Sequence, residues 1–97
     1  MKELHRSEIH NDNKSYESLI VKLDDNKLIK MTYECYNCVE RFKGEIFDGN
    51  NWNHLFSILD LGELDEGKNY VRDSSFRSKR CGELQKKGIN YINKIFK

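Results

Sequence analysis

The feature that most constrains the fold of this chain is a strict alternation of apolar and polar side chains over residues 29–35. The alternate positions are Ile29, Met31, Tyr33 and Cys35 on one side, and Lys30, Thr32 and Glu34 on the other. Because successive side chains of a β-strand point to opposite faces, this pattern predicts a strand with one buried face and one polar face.

Two further segments predict strands of the same sheet. Residues 16–23 alternate less regularly and lead into an Asx-rich turn at residues 24–26, which is typical of a hairpin. Residues 38–47 are expected to form a third strand, because β-branched and aromatic residues favour strands and Gly44 weakens a helix. Helical spacing of the apolar positions between residues 31 and 46 leaves a helix as the open alternative there.

Two helices are predicted in the second half of the chain. Trp52, Leu55, Phe56 and Leu59 follow the spacing of a short amphipathic helix after the turn at residues 48–51. A longer C-terminal helix is predicted with a buried stripe of Cys81, Leu84, Gly88, Ile92 and Ile95. The expected fold is therefore α+β, with a small antiparallel sheet of about three strands packed against a short helix and a longer C-terminal helix.

The expected organisation is a single domain over residues 15–97, preceded over residues 1–14 by a polar N-terminal segment that forms either a mobile arm or a short, weakly held helix. The 97 residues carry 17 basic and 16 acidic side chains, with five Phe, five Tyr and one Trp, a composition that favours a folded chain over a disordered one. Proline and alanine are absent while Lys, Asn and Ile are abundant, which indicates an A/T-rich genome such as that of a low-GC bacterium, its plasmid or its phage.

The odd number of cysteines, three, predicts reduced thiols and a cytoplasmic protein, and no apolar segment suggests a membrane span. Cys35 and Cys38 have the C-x-x-C spacing with which two thiolates hold zinc, and the candidates that would complete four ligands are Cys81 with His54, His5 or His10. No second metal-binding motif accompanies the pair, so two small buried hydrophobic side chains are the competing interpretation. No other cofactor is predicted.

Basic side chains concentrate in the predicted C-terminal helix. Those expected to contact the phosphates of a nucleic acid are Arg77, Lys79, Arg80, Lys86 and Lys87. The competing interpretation is a solvated helix face balanced by the acidic segment at residues 45–66.

No nucleophile–base pair, calcium loop or phosphate-binding glycine motif is recognisable, so the sequence predicts a binding protein and not an enzyme. Tyr36, Phe47 and Tyr70 lie outside the predicted buried stripes and are candidate anchors of a protein interface, or else cover the ends of the core. The leading hypothesis is protein–protein docking, for example by a phage- or mobile-element-encoded inhibitor of a host defence or regulatory enzyme. Nucleic-acid binding through the C-terminal helix and a zinc-stabilised interaction module are the alternatives, and homodimerisation is compatible with each.

Overall fold

The computed structural model describes residues 1–11, 14–36, 39–62 and 74–96. Five antiparallel strands lie side by side in chain order, followed by a short 3-10 helix and one long α-helix. The strands are β1 (Lys2–His10), β2 (Lys14–Lys22), β3 (Leu28–Tyr36), β4 (Val39–Phe47) and β5 (Trp52–Ser57), and the helices are the 3-10 helix (Ile58–Leu61) and α1 (Ser74–Ile95).

The predicted α+β class and the long C-terminal helix are confirmed, and β3, the central strand, has one buried and one partly exposed face as the alternation over residues 29–35 predicts. Ile29, Met31 and Tyr33 are fully buried beneath α1, whereas Lys30 and Thr32 on the other face are partly exposed. The strand interpretation of residues 39–47 is confirmed over the helical one, since β4 pairs with β3 from Val39 to Ile46.

The helix predicted at Trp52–Leu59 is wrong, because this segment forms β5 and the start of the 3-10 helix. The turn before it closes a β-hairpin, with Gly49 at a φ of 104°. A β-bulge then shifts the register between β4 and β5. Phe56 therefore faces α1, whereas regular alternation would place it on the same face as His54, two residues earlier. The bulge interrupts the two-residue period, which is why the apolar spacing imitated that of a helix.

Asp48 stabilises this hairpin turn by accepting hydrogen bonds from the backbone N–H groups of Asn50 and Asn51, each at 2.8 Å, and from the Asn53 amide at 2.8 Å. These donors, the Asn51 N–H first among them, hold the pKa of the Asp48 carboxyl below its ordinary value of 3.8.

We expect an NMR titration of the Asp48 carboxyl to have its midpoint below 3.8, and the Asn53→Ala variant to raise that midpoint by removing one donor. Because the folded-state pKa is lowered, the contribution of Asp48 to stability is complete above pH 3.8 and is lost as the pH falls through the folded-state value. A midpoint at or above 3.8 in the native protein would contradict the prediction.

The segment predicted to be an N-terminal arm is, from Lys2 to His10, the edge strand β1, which pairs along its length with β2. Its sequence lacks apolar alternation for a physical reason. The β1 side chains that face α1 are charged or ionisable, among them Arg6 and His10, and they meet polar partners on β2 and α1 instead of the apolar core.

Helix α1 covers one face of the sheet through the predicted stripe, of which Cys81, Leu84 and Ile92 are fully buried. Ile95 differs from the prediction, because it lies in the last turn and is 43% exposed. Two polar side chains of α1, Arg77 and Gln85, are buried as well. Helix α1 thus packs on the sheet through both apolar and polar side chains.

Candidate functional site

The sheet face opposite α1 is not covered by any element within the described ranges, and we call it the open face. Its side chains lie in cross-strand rows set by the strand register. From one end to the other, the rows are Lys14, Tyr36 and Val39; Ile9, Tyr16, Glu34 and Arg41; Ser7, Ser18, Thr32, Lys43 and Ser57; His5, Ile20, Lys30, Glu45 and His54; and Lys2, Lys22, Leu28, Phe47 and Trp52.

Four apolar or aromatic side chains form a strip at one end of the open face, which we call the open-face strip: Ile9, Tyr16, Tyr36 and Val39. Ile9 is directly opposite Tyr16, and Tyr36 is directly opposite Val39. Tyr16 and Tyr36 are diagonal neighbours, a placement within reach of aromatic side chains. Ile9 and Tyr36 are each 56% exposed and Val39 is 38% exposed, so the strip presents apolar area to the outside across four strands.

A second aromatic group occupies the opposite end of the open face. The Phe47 and Trp52 rings lie 5.1 Å apart between centroids, and the Lys30 ammonium lies 4.6 Å from the Trp52 ring centroid. These rings are half-buried against each other. Of the predicted interface residues, Tyr36 is therefore exposed, Phe47 is partly covered, and Tyr70 lies outside the described residues.

The open face is basic. Its lysines and arginines are Lys2, Lys14, Lys22, Lys30, Arg41 and Lys43, and its acidic residues are Glu34 and Glu45. Since the whole chain has a formal net charge of +1, this imbalance concentrates positive charge on one surface. The surface is therefore electrostatically complementary to an acidic partner.

The covered face contains a buried ion pair between β4 and α1. Glu40 is 0% exposed, and its carboxylate accepts hydrogen bonds from Arg80 Nε at 3.0 and 3.1 Å and from Arg80 Nη2 at 2.9 Å. The Tyr33 hydroxyl donates to the same carboxylate at 2.9 Å. Burial, together with the neighbouring Glu40 charge, raises the pKa of Tyr33 far above its ordinary value, so this hydroxyl remains a donor.

A second buried carboxylate, Glu17 of β2, lies closer to the edge of the sheet. Arg6 pairs with Glu17 Oε1, and the Gln85 amide donates to the same oxygen at 3.0 Å. Burial by itself would raise the pKa of Glu17, but hydrogen bonds from Cys81 and Gln85 and the charge of Arg6 outweigh it and lower the pKa. Glu17 is therefore ionised inside the structure.

Two of the predicted phosphate contacts point toward the sheet, where Arg77 is buried and Arg80 is partly buried. Arg77 is 2% exposed and donates to Ser15 Oγ at 2.6 Å and to the Asn11 carbonyl, while Arg80 pairs with Glu40. The other three predicted contacts, Lys79, Lys86 and Lys87, are exposed on α1. The structure therefore divides this predicted set into two internal arginines and three surface lysines.

The predicted zinc ligands lie on both faces of the sheet. Cys35 and Cys81 are buried on the covered face and are not joined in a disulfide, and burial raises the pKa of Cys81 well above its ordinary value. His54 is exposed on the open face, in the row that contains Lys30 and Glu45. Cys38 lies outside the described residues. The three described members therefore do not converge on one point.

Sequence reasoning missed the polar part of the covered face, although the signal was present in the strand period. Ser15 and Glu17 share the inward positions of β2 with Leu19, and Glu40 shares those of β4 with Phe42. A polar residue at an inward position must find a partner, because burying it alone is costly. Polar residues at those positions therefore indicate internal partners. Arg6 of β1 supplies one, and Arg77, Arg80 and Gln85 of α1 supply the others.

Within the described residues, the fold and surfaces define a class of protein: a five-stranded antiparallel sheet, covered on one face by the C-terminal helix, with a basic and aromatic second face. No protein-family model, curated protein or solved structure matches the chain. Across the described part of the chain, neither helix carries an apolar stretch long enough to cross a membrane.

Proposed function

We propose that this protein acts by docking on an acidic surface of another protein through the open face of its sheet. The observation that carries the proposal is the open-face strip, in which Ile9 and Tyr36 are each more than half exposed within one cross-strand patch. Protein interfaces combine a central apolar or aromatic patch with a polar, often arginine-containing, rim. Lys14, Glu34 and Arg41 lie beside the strip in that arrangement.

The charge of the open face favours a different protein as the partner over a second copy of this chain. Two copies meeting through this face would bring their basic rims together, and like charges across an interface oppose association. An acidic partner surface would instead be attracted, which mainly accelerates association. Occupying such a surface is how a compact inhibitor works, and we extend the proposal to an inhibitor of a host enzyme encoded by a phage or mobile element.

We expect the Tyr36→Ala variant to weaken binding of the partner by about tenfold or more, because exposed tyrosines at the centre of an interface are frequent hot spots. The tagged wild-type protein would be used to capture the partner from a cell lysate, and the dissociation constant would then be measured with purified components. Leu59→Ala is the matched control, since Leu59 is also 56% exposed but belongs to the 3-10 helix. Equal affinity of wild type and Tyr36→Ala would refute docking through the strip.

Nucleic-acid binding is the second candidate function, and the basic and aromatic character of the open face favours it. Sheets that present tyrosines among lysines and arginines can stack bases and neutralise phosphates. Adding nuclease to the same capture experiment separates the two candidates. If the captured partner is still recovered after nuclease treatment, protein docking is supported. If recovery is lost on nuclease treatment and weakened by Arg41→Ala, the open face would instead be a nucleic-acid-binding surface.

A further inference from the structure

Three side chains capable of binding a metal converge at the β1–β2 edge of the covered face: Glu8, His10 and Glu17. Glu8 is directly opposite Glu17, and the ligand atoms of all three residues lie within 4.8 Å of one another. His10 Nε2 is a buried atom without a hydrogen-bond partner, and it lies 3.5 Å from Glu17 Oε2. The cluster thus contains an unsatisfied nitrogen aimed at a carboxylate.

The surrounding contacts orient two of these groups as metal ligands. The Arg6 and Gln85 side chains occupy Glu17 Oε1 and leave Oε2 directed at His10. His10 Nδ1 lies 2.8 Å from Ser15 Oγ, so a proton on Nδ1 donated to Ser15 leaves the Nε2 lone pair available. This is the arrangement by which second-shell groups fix the tautomer of a metal-bound histidine.

Charge also favours a cation at this position. The two carboxylates face each other across strands, where like charges are destabilising, and Glu17 is only 3% exposed. Arg6 is shared between Glu17 and Glu3. A divalent cation between Glu8 and Glu17 would therefore meet two carboxylates whose neighbouring Arg6 also pairs with a third.

We propose that Glu8, His10 and Glu17 form a binding site for a first-row divalent cation such as Zn²⁺. Two ligands of a tetrahedral zinc ion lie about 3.3 Å apart when each bond is about 2.0–2.1 Å, close to the observed separation of His10 Nε2 and Glu17 Oε2. Glu8 is exposed and gives the ion a path from solvent. One imidazole with two carboxylates selects Zn²⁺ over Mg²⁺ and Ca²⁺, which prefer oxygen ligands alone.

The test is calorimetric titration of the purified full chain, freed of metal, with zinc chloride. The wild-type protein is expected to bind one equivalent of Zn²⁺, and Glu8→Gln and His10→Ala are each expected to weaken binding by about tenfold or more. Glu8 is exposed, so its variant keeps the fold and isolates the loss of a ligand. Cobalt(II) provides a second readout, because a four-coordinate ion absorbs in the visible region and His10→Ala should abolish that band.

His5→Ala is the matched control, since His5 belongs to the same strand but lies on the open face. It should bind zinc like the wild type, and magnesium should not compete at equal concentration. Failure of the wild type to bind zinc would overturn the proposal. It would also be overturned if Glu8→Gln and His10→Ala bound zinc like the wild type, and loss of the metal in Cys81→Ser or His54→Ala would then place the ion elsewhere.

Discussion

Replacing Glu40 by alanine is expected to lower the free energy of unfolding by about 3–5 kcal/mol, the largest effect of any substitution we predict. Glu40 is fully buried and accepts hydrogen bonds from Arg80 and Tyr33. Removing the carboxylate leaves the largely buried guanidinium of Arg80 without this counter-ion and the Tyr33 hydroxyl without this acceptor. Breaking one side of a buried pair costs far more than the pair contributes as a whole, because desolvation of the remaining charge is no longer offset.

The same strand offers a matched control. Glu45 belongs to β4 but lies on the open face, 4.0 Å from Lys30 Nζ and 3.8 Å from Lys43 Nζ. Glu45→Ala should cost at most about 1 kcal/mol, as is usual for ion pairs near solvent. Urea unfolding of both variants, with unchanged dependence on denaturant, measures the difference. A loss in Glu40→Ala no greater than that in Glu45→Ala would contradict a buried and mutually dependent pair.

A double-mutant cycle separates the interaction energy of the Glu40–Arg80 pair from the cost of leaving one buried charge unpaired. Arg80→Met removes the guanidinium and keeps most of the apolar side-chain volume. We expect the double variant Glu40→Ala, Arg80→Met to be more stable than the sum of the two single losses predicts, because neither charge is then left alone.

The elements that could be predicted from the sequence are those in which the periodic apolar positions are also the buried ones. Residues 29–35 alternate strictly because β3 has α1 on one face and the open face on the other. The C-terminal helix was predictable for the same reason, since Cys81, Leu84 and Ile92 repeat on one face and all are fully buried.

The remaining elements depend on partners that are distant in sequence. β1 pairs with β2 through its backbone, and its inward Arg6 and His10 meet polar groups, so no apolar period marks it as a strand. β5 is a strand because the turn returns the chain to β4, and its bulge disguises the period. The local sequence pattern reveals neither the polar side-chain partners of β1 nor the pairing of β5 with β4.

The candidate sites divide in the same way. Tyr36 was a candidate interface residue because it lies outside the predicted buried stripes, and its side chain is 56% exposed. Arg77 and Arg80 looked like surface cations because basic residues on a helix usually are. Arg77 is buried against Ser15 and Arg80 is partly buried against Glu40, and these partners lie 62 and 40 positions away along the chain.

Gly44→Ala is expected to destabilise the protein by about 1–3 kcal/mol, the cost of overpacking a well-packed core. Gly44 of β4 is directly opposite Phe56 of β5, and the Phe56 ring lies across it. A Cβ atom added at Gly44 would be 2.1 Å from Phe56 Cε1, so the ring must move.

The Phe56 ring is enclosed by neighbouring groups and has no free space into which it could shift. It is 0% exposed, with the Tyr91 ring centroid at 5.2 Å and the Phe42 ring centroid at 6.2 Å. On its far side α1 approaches so closely that a Cβ atom at Gly88 would lie 3.2 Å from Phe56 Cζ. The two glycines therefore bracket one aromatic ring between strand and helix.

Gly82→Ala is the control, because the same added methyl group at Gly82 of α1 would meet nothing within 4 Å. Alanine should there stabilise the helix by about 0.5–1 kcal/mol through its higher helix propensity. Thermal unfolding should therefore move in opposite directions for the two variants. Combining Gly44→Ala with Phe56→Leu should recover part of the loss relative to the sum of the single effects, since the smaller side chain makes room for the methyl group. If Gly44→Ala were as stable as the wild type, the Phe56 ring would have room to shift. Close packing of β4, β5 and α1 would then not explain the glycine at position 44.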